Sequence, residues 1–467
     1  MEQVPKEMKK LFKIAKEIIE DSEDIKIYSH TDCDGISAGA ILSTILDRLN
    51  KAHEIEFVNL DVLENLELKH ELTIFSDLGS GQNIDKFASK NNKIIILDHH
   101  PPLRDLDYYK TREYTYLEIN PNHFNIDGSY YVCGGGLCYF LAREFDFKDL
   151  SWIGVLSAIG DMQNTHTGKF EGLNKIILND SIEEAYVLKH TDDLSLYGRE
   201  TRPLFVALSY FSDVKLPLTN NKTECIAILK ELDIPRKIGD RNTTLSDLDK
   251  IDKKKLFSKL FSMLSLEVPS KYVNHIPKLI IADSYEFLKE KNHTFLRDAS
   301  EFSTAMNACG RNSQEEIALQ ILKGNRLEAL DALEMITKDH KIYLSEQIRN
   351  IEDNDSIVEL ENIQYFNGED IRAEVVGTIA GMILSLGNWQ KPMIGFSKIE
   401  NGDYKISLRC SRLLAYDGIH FGNLIREISK KLGGNGGGHS VACGAYIPND
   451  KLNEFIDELN NSLDGKL

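Results

Sequence analysis

The stretch Lys93-Ile94-Ile95-Ile96-Leu97-Asp98-His99-His100 decides the fold. Its first five residues are an apolar, β-branched run, which reads as a parallel strand buried on both faces. Three polar, metal-competent side chains follow at the strand's carboxyl end, where an open α/β sheet places its ligands. Outward from it, residues 1–170 alternate strand and helix signals. Strands are expected at 25–28, 54–60, 72–75, 93–97 and 116–119. Helices are expected at 36–49 and 83–89, and from about Leu137 and Ser151. This order predicts a doubly wound, mainly parallel sheet.

Beyond residue 180 the strand signals fade. Charged helical segments at 222–232 and 244–266, with the basic run Asp252-Lys253-Lys254-Lys255, read as a helical insert. Residues 313–355 read as nearly continuous helix, a connector between domains. A smaller α/β segment follows from about 357. It has strands at 371–376, 392–396, 404–409 and 441–447, and helices at 379–386, 421–432 and 451–463. A glycine cluster, Gly433-Gly434-Asn435-Gly436-Gly437-Gly438-His439, precedes its last strand.

A length of 467 residues predicts two to three domains. An apolar fraction of 42 % with 27 % charged residues is that of a soluble globular chain. No apolar run approaches the roughly 20 residues of a membrane span. The N-terminal Met1-Glu2-Gln3-Val4-Pro5-Lys6 lacks a signal-peptide core and leads into an amphipathic helix carrying Leu11, Phe12, Ile14, Ala15, Ile18 and Ile19. Seven cysteines without a Cys-x-x-Cys pair, with Cys133, Cys138, Cys309 and Cys443 among small or apolar neighbours, argue for a reducing, cytoplasmic setting and against a zinc ribbon. A net charge of −18 weighs against a broad grip on duplex DNA. It leaves room for a narrow nucleic-acid site where bound divalent cations invert the local sign.

Four constellations carry chemistry. His30-Thr31-Asp32-Cys33-Asp34-Gly35 follows the first strand and offers three ligand-type residues in five, with Gly35 permitting a sharp turn into a helix that Asp32 or Asp34 could instead simply cap. Ser76-Asp77-Leu78-Gly79 follows another strand; alone, Asp77 reads equally as a turn residue. In Asp98-His99-His100 the two imidazoles point different ways, so one can bind metal while the other meets substrate, with Asp98 orienting a ring. Gly160-Asp161 ends the apolar stretch from Ile153 to Ile159 and gains weight as a further strand end supplying a sixth ligand. His30, Asp32, Asp34, Asp77, His99 and Asp161 are too many ligands for one tetrahedral zinc. They suit two hard cations sharing a carboxylate at about 4 Å or less, Mn²⁺ first, with Mg²⁺ or Co²⁺ as alternatives.

These motifs, in this order, resemble the DHH phosphoesterase superfamily. The resemblance implies that His30 and Asp32 hold one metal, that Asp34, His99 and Asp161 hold the other, and that Asp77 bridges. It implies that His100 meets the scissile phosphate with Asp98 in support. The stretch from Gly436, Gly437, Gly438 and His439 to Gly444 resembles the glycine-rich motif of the DHHA1 domain, and Ser407-Leu408-Arg409-Cys410-Ser411 resembles its Arg-bearing strand. Glycines let backbone N–H groups approach a phosphate, and an arginine can fork onto one. Asn307-Ala308-Cys309-Gly310-Arg311 resembles a segment of RecJ-type nucleases, and Tyr197-Gly198-Arg199-Glu200-Thr201-Arg202-Pro203 resembles archaeal RecJ-like exonucleases.

The resemblance implies a DHH catalytic domain at 1–204, a helical insert at 205–290 and the remainder of the DHH lobe at 291–325. A connector helix at 326–356 and a DHHA1 substrate-binding domain at 357–467 complete it. The expected activity is metal-dependent release of mononucleotides from single-stranded DNA or RNA in replication or repair, in a cleft between the two lobes. Asn307, Arg311, Arg409, Ser411 and the 436–439 loop would contact substrate. The alternatives are a short-oligonucleotide or cyclic-dinucleotide phosphodiesterase, or a replication scaffold with residual nuclease activity. The insert is expected either to dock GINS or a repair helicase, or only to pack on the DHH lobe. No membrane partner is implied, and oligomeric state stays open.

Overall fold

A computed structural model of the chain describes residues 3–108 and 115–467; Met1 and Glu2 of the N-terminal stretch lie outside them. Two compact units emerge, Met1–Asp192 with Ala282–Lys338, and Asp193–Ile281 with Asp339–Leu467.

The first unit opens with α1 (Lys6–Glu20), whose buried Met8, Leu11, Phe12, Ala15, Ile18 and Ile19 follow helical spacing. Next come β1 (Asp24–Ser29), α2 (Cys33–Arg48), β2 (Ala52–Phe57), β3 (Leu72–Ser76), β4 (Lys93–Leu97), β5 (Tyr116–Ile119), α3 (Gly134–Glu144), α4 (Ser151–Gly160) and α5 (Asn174–Glu183). The five strands form one parallel sheet in the order β2-β1-β3-β4-β5. The chain therefore reverses direction across the sheet between β2 and β3. That makes the carboxyl ends of β1 and β3 a topological switch point.

The pleat explains why the strands are apolar throughout. Ile25, Ile27, Leu72, Ile74, Ile95, Leu97, Leu117 and Ile119 join the main core. Tyr28, Phe75, Ile94, Ile96 and Tyr116 build a second core on the opposite face. Each fully buried isoleucine contributes about 1.5–3 kcal/mol relative to exposure, so Ile94, Ile95 and Ile96 fix β4 in the sheet's interior.

The helix expected at 83–89 is a single 3₁₀ turn, Asp85–Phe87. Arg104 explains the irregularity. Its guanidinium donates to the carbonyls of Gly79, Ser80 and Gln82 and pairs with Asp85 and Glu118. That pins the segment as a loop. The strand expected at 54–60 ends at Phe57.

β6 (Val187–Leu194) pairs with a later strand and leads into a helical module: α6 (Leu204–Ser209), α7 (Lys222–Glu231), the small hairpin β7 (Lys237–Ile238) and β8 (Arg241–Asn242), α8 (Lys250–Glu267) and α9 (Ile276–Ile280). Its core gathers Leu204, Leu208, Phe211, Leu229, Leu256, Leu260 and Leu264 together with Trp389 and Leu413 of the C-terminal segment. Arg412 forks onto Asp213 and donates to the Leu279 carbonyl, and Lys271 pairs with Asp417. The module thus shares a core with the C-terminal domain, which corrects the reading that it only packs on the DHH lobe.

β9 (Ile281–Phe287) is the partner of β6 and returns to the first unit, followed by α10 (Ala299–Gly310) and α11 (Glu315–Leu322). The continuous helix expected over 313–355 is broken at Gly324, whose φ of +98° ends α11 before α12 (Glu328–Asp353) begins.

The C-terminal domain contains β10 (Ile357–Glu359), β11 (Gln364–Asn367), α13 (Val376–Met382), β12 (Met393–Lys398), β13 (Tyr404–Arg409), α14 (Arg412–Tyr416), α15 (Phe421–Lys431), β14 (Asn435–Gly438), β15 (Ala442–Ile447) and α16 (Leu452–Ser462). Its sheet runs β10-β11-β12-β13-β15-β14 and is mixed, with β11 and β12 parallel. No strand forms at 371–376. The buried Ile371, Val375, Val376, Ile379, Ala380 and Ile383 recur at helical spacing, and that period prevails over β-branching. The glycine cluster is not a loop either, because 435–438 is an edge strand paired to β15. Among the described residues no helix is long and apolar enough to cross a membrane. All seven cysteines are buried free thiols.

Candidate functional site

The carboxyl ends of β1, β3 and β4 converge. His30 follows β1, Asp77 follows β3 and His99 follows β4, so hydrogen bonding between parallel strands brings all three within reach. His30 Nδ1 lies 3.2 Å from Asp32 Oδ2 and 3.5 Å from Asp77 Oδ2. His99 Nε2 lies 3.2 Å from Asp77 Oδ1 and 3.6 Å from Asp34 Oδ2. Asp161 Oδ2 lies 3.8 Å from the His99 ring. Three donor groups result among the described residues, His30–Asp32–Asp77, Asp34–His99–Asp161 and Asp77–Asp98–His99–His100, and Asp77 touches both His30 and His99.

Local backbone rules place these groups. Asp32 answers the capping alternative by doing both jobs: it caps α2, accepting from the Gly35 N–H at 3.0 Å, while its other oxygen faces His30. Asp77 sits at φ +60°, a left-handed conformation uncommon outside glycine, which turns its carboxylate back over the sheet. Asp161 stands past the last turn of helix α4, not at a strand end.

Asp34 is buried and receives the N–H groups of Gly134 and Gly135 at 2.8 Å each, plus the Ser157 hydroxyl. The amino end of α3 therefore points at a carboxylate, where its dipole favours negative charge. A Cβ at Gly134 would lie 2.5 Å from Asp77 Cβ, and one at Gly135 would lie 2.3 Å from Ser157 Oγ.

Residues outside the sequence motifs orient the donors. His99 Nδ1 donates to the Gly128 carbonyl at 2.7 Å, which turns Nε2 toward Asp34 and Asp77. Gln163 is buried and donates to that same carbonyl and to Asp161 Oδ2 at 2.8 Å, while accepting from Asn174 at 2.6 Å. Asn120 donates to the His100 carbonyl and to Ser80 Oγ, and Asn122 donates to the His99 carbonyl. Ser80 N–H in turn holds Asp98, whose other oxygen takes His100 Nδ1 at 2.8 Å. The His100 side chain is half exposed at 50 %. Asn307 belongs to this group too, since its Oδ1 accepts the Cys33 N–H at 3.0 Å. Arg311 follows the last turn of α10 as its cap.

The electrostatics fit cations. Burial, with Asp77 and Asp161 beside it, pushes the Asp34 carboxyl well above the usual range. Burial alone would lower His30 and His99. Carboxylates outweigh it, Asp32 chiefly for His30 and Asp161 for His99, and both rings are held well above their ordinary values. His30 Nδ1 and Asp77 Oδ1 are buried without a hydrogen-bond partner. Orphaned atoms of this kind are costly, and an oxygen- and imidazole-liganded divalent cation satisfies them.

In the C-terminal domain, Arg409 ends β13 opposite Ala442 of β15, and Gly438 of β14 pairs with Cys443. Arg409 and the glycine strand thus share one end of the sheet. The Arg409 side chain is half-buried, and desolvation lowers its pKa; it donates to the Leu408 carbonyl at 2.8 Å. No carboxylate pairs with it among the described residues. A Cβ on Gly377 would come within 2.7 Å of its Nη2. Gly437 and Gly438 take φ values of +159° and +126°. Ser411 is fully buried, and its hydroxyl accepts the Leu413 N–H as the cap of α14. His439 closes the turn between β14 and β15 with its N–H on Ala442 O.

Three family descriptions match the chain: the DHH family N-terminal domain over residues 24–157, the DHH-CID domain over 196–277 and the DHHA1 domain over 360–464. An uncharacterised protein of Methanocaldococcus jannaschii, MJ0831, is 32 % identical over 99 % of this chain and 98 % of its own length. Among solved structures, RecJ of Thermus thermophilus in complex with Mn²⁺ aligns with a TM-score of 0.58 at 14 % identity. That alignment covers 99 % of this chain, which spans 55 % of the RecJ chain. CDC45 of Entamoeba histolytica aligns with a TM-score of 0.59 at 14 % identity, over 98 % of this chain and 99 % of that one. At such identities the likeness is one of fold.

Proposed function

The chain belongs to the DHH family and carries a C-terminal DHHA1 domain, and on that premise we propose that it is a divalent-metal-dependent exonuclease releasing mononucleotides from single-stranded DNA or RNA. The observation that carries this reading is the pair of donor groups sharing Asp77, whose oxygens face His30 on one side and His99 on the other. His30 and Asp32 would hold one cation, Asp34, His99 and Asp161 the second, and Asp77 would bridge. Mn²⁺ is the first choice for this imidazole and carboxylate set, before Mg²⁺ or Co²⁺. Bound cations would supply Lewis-acid stabilisation of charge at phosphorus and a more acidic water.

The protein's own groups do the rest. Asp98 holds the half-exposed His100 by Nδ1, which aims the opposite edge of the ring outward as a donor for a phosphate oxygen. Asn120 fixes the same segment from behind through the His100 carbonyl and Ser80. Arg409, half-buried without a carboxylate partner, is a fork for a substrate phosphate, and the backbone of Gly436, Gly437 and Gly438 lies at the same sheet end. Ser411 serves as a helix cap and supports this strand end through the backbone.

The test is hydrolysis of end-labelled single-stranded DNA and RNA with Mn²⁺ or Mg²⁺, against chelator and against Asp34→Ala. Mononucleotide release that needs metal and vanishes in the variant is the expected result. Cleavage confined to dinucleotides would replace the reading with a short-oligonucleotide phosphodiesterase. Binding without cleavage would replace it with a scaffold. Unimpaired cleavage by Asp34→Ala would remove the two-metal assignment.

A further inference from the structure

Arg202 lies in the segment Tyr197-Gly198-Arg199-Glu200-Thr201-Arg202-Pro203 of the helical module, which the metal chemistry leaves unexplained. Its guanidinium packs on two aromatic rings, 4.8 Å from the Tyr197 centroid and 4.4 Å from that of Tyr210. The turn is built to fold it back. Gly198 adopts φ +89°, the Arg202 N–H closes onto the Gly198 carbonyl at 3.0 Å, and a Cβ on Gly198 would strike Arg202 Cβ at 2.4 Å.

Three nearby arginines are committed to acids. Arg199 pairs with Asp193 and Glu200, Arg241 with Asp247, and Arg412 with Asp213. Arg202 has no carboxylate partner among the described residues. With two rings packed on the guanidinium, its N–H edge is the part suited to bind. That edge matches a tetrahedral or planar oxyanion, and the stacking has already removed much of the side chain's rotational freedom. Tyr210 is 45 % exposed, so its ring gives one face to Arg202 and offers further surface to solvent. A charged fork beside an open aromatic ring complements both halves of a nucleotide, phosphate and base. An acidic peptide would use only the fork.

We propose that Arg202, held against Tyr197 and Tyr210, is a second contact site for a single-stranded nucleic acid, with the guanidinium on a backbone phosphate and Tyr210 under a base. The site rests on the reading of the substrate as a single strand, and it is separate in residues from the metal donors and from Arg409.

The test measures fluorescence anisotropy of a labelled oligothymidylate strand with the full-length protein, in chelator to stop cleavage and over a range of salt. Arg202→Ala is expected to weaken binding about tenfold and to flatten the salt dependence by about one phosphate contact. Arg202→Lys keeps the charge, removes the flat fork, and is expected to lose affinity too; it carries the test if the alanine variant fails to fold. Arg241→Ala removes an equal charge from the module and is expected to bind as wild type does. Full affinity in both Arg202 variants would overturn the site, as would full affinity in the lysine variant alone or an equal loss in Arg241→Ala. Displacement of the strand by a poly-glutamate peptide at comparable concentration would assign the fork to carboxylates and overturn it as well. A wild-type protein that fails to bind the strand at all would refute the single-strand reading first, and the site with it.

Discussion

Substituting alanine at Gly134 probes how tightly the amino end of α3 is pressed against the metal donors. The added methyl would sit 2.5 Å from Asp77 Cβ, 2.8 Å from its Cα and 2.9 Å from its Oδ1. Ordinary contact begins at 3.4 Å, so helix and turn must part by about 1 Å. Neither side yields easily, since α3 is buried over most of its length and Asp77 is locked in a left-handed turn beside Gly79. Overpacking of this kind costs about 1–3 kcal/mol. For a domain of this size that lowers Tm by about 2–4 °C per kcal/mol. A shift of about 1 Å in Asp77, the carboxylate proposed to bridge, costs on the order of 100-fold in rate. The retreat also lengthens the 2.8 Å bond from the Gly134 N–H to Asp34. The assay pairs scanning calorimetry, with chelator and with Mn²⁺, with initial rates on a labelled oligonucleotide. Gly81→Ala is the control, because its methyl meets only Pro101 O at 3.8 Å. A Gly134→Ala enzyme with unchanged Tm and full rate would refute the argument that the helix seats Asp77.

Gln163→Leu removes the amide that ties Asp161 to the Gly128 carbonyl, and is expected to weaken Mn²⁺ binding about 10- to 100-fold in a calorimetric titration; unchanged affinity would show that the amide positions nothing. Arg409→Met replaces a half-buried, unpaired guanidinium and is expected to leave Tm unchanged or higher while raising KM for an oligonucleotide at least tenfold. A lower Tm with unchanged KM would contradict it. Burial works against the Asp247 carboxylate, but Arg241 and the Thr244 N–H hold it down at about 2. Its stabilising contribution is therefore complete above the unfolded value of about 4, declines as the unfolded chain takes up the proton, and is gone below about pH 2. Urea midpoints measured from pH 5 to pH 2 should converge for wild type and Asp247→Asn, and parallel curves would exclude this linkage.

The clustering of His30, Asp32, Asp34, Asp77, His99 and Asp161 was legible because each sits within a few residues of a strand or helix end that its own sequence announces. Lys93 to Leu97 declares a buried strand, and Asp98-His99-His100 must then stand at its exit. The supporting groups were not legible. Gly134 and Gly135 reach Asp34 across about 100 positions, Ser157 across 123 and Asn307 reaches Cys33 across 274. No local pattern encodes such contacts. The misread strand at 371–376 has another cause: Ile371, Val375 and Val376 are β-branched, yet only their helical spacing matches the buried face they form. Arg104 shows a third limit, since one buried side chain rewrote the local preference of a whole segment.

The shared core of the helical module and the C-terminal domain bears on how the protein is made. A ribosome delivers Leu204 to Leu264 well before Trp389 and Leu413, the side chains that complete their packing. During that interval the nascent module holds an apolar surface with no native cover, the condition in which partly folded chains bind chaperones or aggregate. The same order limits genetic dissection. A fragment starting at residue 357 would expose Trp389 and Leu413 and leave Arg412 without Asp213. Excising 205–290 would strip the C-terminal domain of the same cover. Inheritance of this module and this domain must therefore be joint, although the chain separates them by α10, α11 and half of α12.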